Sequence, residues 1–200
     1  TKKFQYFDIP KPPKIHDIYY RTIWVPAPDL TTPWTKEETR AISPIVHGLV
    51  ADSQDNIWYT LYDFGYIGRL DPKTGKSRLY EIPGAGRIKG VQVDENDNIW
   101  LGDFLNHALV KVDSKTGQVE RFQPPTPYAA LYKAVPDKKG TLWISDFTGS
   151  QLTRFNMATK EFTEFPLPRP DVMVRFFGLD PQGRVWYGDT NGKFGVLDPG

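Results

Sequence analysis

From residue 47 onward, apolar residues come in short runs of four or five, divided by turns rich in Asp, Asn, Gly and Pro. No run is long enough or periodic enough for a core helix, so the pattern predicts short strands and tight turns. The runs also repeat. Trp58, Trp100, Trp143 and Trp186 stand 42, 43 and 43 residues apart. Each follows the same lead-in: Asp52, Asp55, Asn56 and Ile57 before Trp58 recur as Asp94, Asp97, Asn98 and Ile99 before Trp100. Asp137, Gly140, Thr141 and Leu142 precede Trp143, and Asp180, Gly183, Arg184 and Val185 precede Trp186. An Asp followed three residues later by Asp or Gly makes a hairpin turn, and the apolar residue and Trp then open a strand.

The second half of each unit repeats as well. Ile67 to Asp71 matches Leu109 to Asp113, Leu152 to Asn156 and Phe194 to Asp198. A closing strand ends each full unit, at Leu79 to Pro83, Glu120 to Pro124 and Phe162 to Pro166. Four strands in a unit of about 43 residues is the signature of a β-propeller blade, which cannot bury both faces of its sheet alone. The fold class is therefore all-β, a propeller of four-stranded antiparallel blades. The blades are expected at 47–88, 89–130, 131–173 and 174–200, the last without its closing strand. Residues 1–10 read as such a closing strand, since Asp198-Pro-Gly200 followed by residues 1–10 has the length of the intact unit. Two arrangements follow: a closed four-bladed ring, or a segment of a longer propeller. Residues 11–46 fall outside the repeat as an aromatic- and Pro-bearing insertion.

Composition narrows the partners. With 25 basic and 24 acidic residues the net charge is +1, which gives no overall field for nucleic acid. The chain has no cysteine, so disulfides and thiolate metal sites are excluded. No apolar stretch reaches the length of a membrane-spanning helix, and no membrane insertion is expected.

The repeated Gly-[Leu/Val]-x-x-Asp-x-x-x-Asn-Ile-Trp, with Ile67-Gly-Arg-Leu-Asp71 and the closing Tyr80-Glu-Ile-Pro83, resembles the streptogramin (virginiamycin) B lyase family. The resemblance covers residues 47–200 and 1–10 but not the insertion. It implies a seven-bladed ring, a periplasmic or secreted location, and a magnesium-dependent lyase that opens a cyclic depsipeptide at its ester bond. It further implies a catalytic His on an inner strand, matched by His47 in Val46-His47-Gly48-Leu49, and Glu residues holding the metal. Where it implies those Glu residues, this chain has Ile45 and either Leu61 or Tyr62.

Propeller geometry places the first strand of each blade at the axis, so equivalent positions form rings. The start of the inner strand is His47, Lys89, Tyr132 and Arg175 in successive blades. The residue three past Trp is Leu61, Asp103, Asp146 and Asp189. Lys89, Tyr132 and Arg175 are candidate ligand-binding residues, the two cations for carboxylate or phosphate. His47 is a candidate general base. Asp103, Asp146 and Asp189 are candidate ligands of Mg²⁺ or Ca²⁺. Against each stands a plainer reading: Asp caps a turn in every blade, and Lys89 and Arg175 pair with those Asp residues. His107 reads as a solvated turn residue, and His16 has no matched partner. The expected function is binding of a small polar or anionic ligand at the channel mouth, with lyase or hydrolase chemistry; the alternative is a scaffold that recognises a peptide, glycan or protein.

Overall fold

The computed structural model describes residue 10, residues 45–190 and residues 192–200. The expected strand at 1–10, the insertion at 11–46 and His16 lie outside the described residues, apart from their last one or two positions. The described residues are all-β, with no helix among them.

Four antiparallel sheets follow one another along the chain. The first holds β1 (Val46–Ala51), β2 (Ile57–Leu61), β3 (Tyr66–Leu70) and β4 (Ser77–Glu81) in sequence order. The second holds β5 (Ile88–Val93), β6 (Ile99–Asp103), β7 (Ala108–Val112) and β8 (Val119–Phe122). The third holds β9 (Leu131–Pro136), β10 (Thr141–Asp146), β11 (Gln151–Asn156) and β12 (Phe162–Pro166). The last has three strands, β13 (Val174–Leu179), β14 (Val185–Asp189) and β15 (Phe194–Leu197). The first strands β1, β5, β9 and β13 pack successively against one another, which makes them the inner strands of propeller blades.

The turn chemistry explains the repeated letters. Asp55, Asp97, Gly140 and Gly183 occupy the same turn position with φ of 65°, 61°, 87° and 85°. That left-handed conformation is tolerated by Asp and free for Gly, so the two residues exchange there. The leading Asp closes the turn with its side chain. Asp52 Oδ1 accepts from the backbone N–H of Gln54 and Asn56, each at 2.9 Å. Asp94, Asp137 and Asp180 do the same in their blades.

Three of the four repeated Trp are then buried against the following blade. Trp58 packs with Ile88, Val91, Ile99 and Leu101, Trp100 with Leu131, Leu142 and Ile144, and Trp143 with Val174, Phe177 and Val185. The closing strand covers the same ring from the outside, through Tyr80, Phe122 and Phe165. These three indoles are at most 2% exposed, whereas Trp186 of the last sheet is 45% exposed. Burying an aromatic of this size is among the largest single contributions a core position makes.

Candidate functional site

The inner strands pair with their neighbours through a break in register, and the candidate residues sit at that break. His47 and Gly48 together face Thr60, between the pairs Val46↔Leu61 and Leu49↔Tyr59. Lys89 and Gly90 lie between Ile88↔Asp103 and Val91↔Leu101, and Arg175 and Phe176 between Val174↔Asp189 and Phe177↔Tyr187. Tyr132 is the extra residue between Leu131↔Asp146 and Lys133↔Ser145. A bulge takes its residues out of the strict in-out alternation and re-aims their side chains. Thr60 fixes one such pair: its hydroxyl accepts from Gly48 N–H at 2.9 Å and donates to the Lys89 carbonyl at 2.9 Å.

His47, Lys89, Tyr132 and Arg175 converge on the axis, interleaved with aromatic rings. His47 stacks on Tyr62 with ring centroids 5.1 Å apart, and its Nε2 lies 3.3 Å from the Tyr132 hydroxyl. Lys89 Nζ donates to the Tyr62 hydroxyl and lies 4.0 Å from the Tyr62 centroid, 4.8 Å from Phe104 and 5.2 Å from Tyr132. The Arg175 guanidinium lies 5.4 Å from the Phe147 centroid, and Phe147 stacks on Tyr132 at 5.6 Å. Cations over aromatic faces in a half-dry site gain from the ring quadrupole.

Burial sets the charge states. It holds the His47 imidazole below its ordinary pKa, and the Lys89 charge lowers it further; a hydrogen bond to the Lys89 backbone pulls the other way. His47 is therefore neutral near pH 7. Burial pushes the Lys89 amine down to about 8, helped by the positive charges of Arg87 and Arg175 and opposed by Asp63. At the rim Arg87 pairs with Asp63 at 3.1 Å, while its Nη2 is buried without a hydrogen-bond partner.

Tyr62, Phe104 and Phe147, whose rings face Lys89 and Arg175, are not among the site residues expected from the sequence. All three stand four residues after the blade Trp, a column of aromatics legible in the repeat once the units are aligned. Lys133 and Phe176 were missed too, because a bulge brings residues one past the expected positions to the axis. Burial lowers the Lys133 amine as well, and its Nζ lies 5.6 Å from the Phe176 centroid. Together with His47, Gln92 and Tyr132 they line a cavity of about 300 Å³ between the inner strands.

The acidic positions are placed differently from the cation-site expectation. Asp103 and Asp146 are fully buried. Asp103 accepts from Gly86 N–H at 3.0 Å, Asn106 Nδ2 at 2.9 Å and Arg121 at 2.8 Å. Asp146 accepts from Ala130 N–H at 2.9 Å, Gly149 N–H at 3.0 Å and Gln151 Nε2 at 3.2 Å. Asp189 accepts from Lys193 N–H at 2.8 Å and faces Arg169 at 3.7 Å. The structure does not bring the three carboxylates together, because each ties the strand-two end to turns of its own blade and to the segment that enters it from the preceding one. Among the described residues no three His, Asp or Glu are close enough to hold a metal ion. With Ile45 and Leu61 where the resemblance implies Glu, these residues do not fit the divalent cation it implies. Lys89 and Arg175 do not pair with the three Asp either; among the described residues neither makes an ion pair. His107, expected to be solvated, is half-buried at a turn with φ of 55° and packs edge-on to Tyr128.

The model of the virginiamycin B lyase family matches residues 37–195. No curated protein matches the sequence. Among solved structures, a catalytically inactive His-to-Ala variant of virginiamycin B lyase from Staphylococcus aureus with quinupristin superposes with a TM-score of 0.72 at 23% identity, over 77% of this chain and 52% of that one. A streptogramin B lyase structure matches with a TM-score of 0.67 at 20% identity, over 76% of this chain and 53% of that one. The extracellular domain of a protein described as a one component system from B. thetaiotaomicron matches with a TM-score of 0.62 at 18% identity, over 76% of this chain and 20% of that one. The chain spans about half the length of the lyases it matches.

Proposed function

The chain belongs to the virginiamycin B lyase family, and from that premise we propose that it binds a small anionic ligand with a flat, apolar part at the mouth of its central channel. One observation carries this reading. Lys89, Lys133 and Arg175 reach the axis against the rings of Tyr62, Phe104, Tyr132, Phe147 and Phe176, and among the described residues none of the three cations has a carboxylate within ion-pair distance. Cations without counter-charges, Lys89 buried, Lys133 half-buried and Arg175 exposed at the mouth, favour an anion that supplies one, and the ring faces favour a planar body. The unpartnered Arg87 Nη2 at the rim adds a donor.

The chemistry open to this site is proton transfer. His47, neutral and 3.3 Å from the Tyr132 hydroxyl, is the group able to take a proton from a bound ligand. Extracellular domains share the fold, which supports a periplasmic or secreted setting for the binding. No described segment is a helix long and apolar enough to cross a membrane.

Calorimetric titration with benzoate and with inorganic phosphate tests the reading. Benzoate is expected to bind, and the Lys89→Met and Arg175→Met variants to weaken it at least about tenfold each, as loss of a charge-assisted hydrogen bond does. Unchanged affinity in both variants overturns the site. The His47→Ala variant is expected to retain benzoate, which separates proton transfer from binding.

A further inference from the structure

The environment of one side chain goes beyond reversible binding. Lys89 is 8% exposed, and its amine is walled by the rings of Tyr62, Phe104 and Tyr132. The charged and titratable groups around it are Arg87 and Asp63 at the rim, Arg175 from β13, His47 from β1, and the hydroxyls of Tyr62 and Tyr132. Asp63, the carboxylate among them, is engaged by Arg87 at 3.1 Å. A lysine in apolar surroundings beside other cations gains little from being charged, and an uncharged amine is a nucleophile.

We propose that Lys89 is a carbonyl-reactive amine, which captures an aldehyde or ketone carrying an anionic group as an imine at the channel mouth. The inference rests on the anion-binding reading for recognition of the ligand, and on the Lys89 environment for the chemistry. Nζ forms a bond to the carbonyl carbon as the C–O π bond breaks, giving a carbinolamine. The two amine hydrogens then leave with the carbonyl oxygen as water, and the C=N bond closes. The Tyr132 hydroxyl and His47 imidazole, 3.3 Å apart beside the amine, form the pair able to pass a proton during water loss. Depression of the amine pKa to about 8 makes a larger share of Lys89 neutral at pH 7 than of an ordinary lysine. Lys133 is the rival: it too is lowered by burial, but it lies over Phe176 and Phe177, and among the described residues no hydroxyl or imidazole is bonded to its amine.

The test uses the full chain, 4-formylbenzoate and sodium cyanoborohydride, with peptide mapping of the reduced adduct. Labelling is expected at Lys89 at least about tenfold faster than at exposed Lys73 and Lys115 (their exposure leaves them fully solvated), with the rate rising through pH ~8. Benzoate should protect Lys89, and Lys89→Arg should abolish the adduct while leaving the circular dichroism unchanged. Equal labelling of all lysines, or labelling of Lys133 in place of Lys89, overturns the proposal. If benzoate binds and protects nothing because Lys89 is never labelled, the imine fails while the anion site stands. If benzoate does not bind at all, the anion site itself fails.

Discussion

At the start of the second strand, three of the four blades hold an indole by the same carboxylate: Trp58 Nε1 donates to Asp52 at 3.0 Å, Trp100 to Asp94 at 2.8 Å and Trp186 to Asp180 at 2.8 Å. At the axial end of the first strand, no two blades hold the same residue, and His47, Lys89, Tyr132 and Arg175 follow one another. The first set of positions closes turns and fills the seams between blades. The second makes few contacts that the fold needs, and its buried Lys89 sits in partly dehydrated surroundings that cost stability. In a chain of repeats, what every unit shares reports what each unit needs in order to fold. What differs between units at one structural position is free to report a ligand.

The sharpest way to break this contrast is at the seams. Trp100→Ala is expected to cost about 3–5 kcal/mol in urea denaturation, because the ring is buried between two blades. Trp186→Ala should cost far less, since its equivalent face is 45% exposed. Equal losses would mean that the indoles do not act through the neighbouring blade. Gly102→Ala comes next, at about 1–3 kcal/mol, since a methyl there would stand 2.2 Å from the Leu131 carbonyl oxygen, where the third blade presses on the second.

Asp146→Ala should cost about 1–3 kcal/mol by orphaning buried N–H groups, with benzoate affinity unchanged. Loss of the ligand with no loss of stability would move Asp146 from the shared set to the axial set. In the opposite sense, Lys89→Met should melt no lower than the parent chain, because it removes a desolvated charge, while benzoate affinity drops.

The smallest effects are with pH. Asp52 and Asp180 lie below the ordinary carboxylate range, Asp180 at about 2; burial raises both, and hydrogen bonds from the indole and the turn outweigh it. Their contribution is complete above about pH 4 and is lost as pH falls toward 2, which acid titration of the melting temperature would register. Lys89 has the same sign in a higher window. Its folded pKa is below its unfolded one, so stability rises slightly from about pH 8 to about 10.5, while anion affinity falls across the same interval.

Much of this architecture was legible in the letters. The Asp-to-Trp lead-in fixed where each hairpin turns, and the left-handed φ at Asp55, Asp97, Gly140 and Gly183 is a conformation that favours Gly and tolerates Asp, which is why the two exchange there. The inner-strand ring was legible as well, since equivalent places in a repeat must share a radius. The acidic ring was misleading for the same reason: Asp103, Asp146 and Asp189 recur, yet their oxygens serve local turns, and nothing in a one-dimensional pattern says which way a carboxylate points.

The order of residues was enough to specify the unit: its strands, its turns, and the buried indole that seals one blade to the next. These depend on neighbours within a few residues or on one repeat length. The site came from the packing of blades. The bulges that turn Lys89 and Arg175 onto the axis, and the meeting of His47 with Tyr132 across 85 residues, arise from how twisted sheets pack around a centre. Distances between separate blades are set by that packing and are not written in any local stretch of chain.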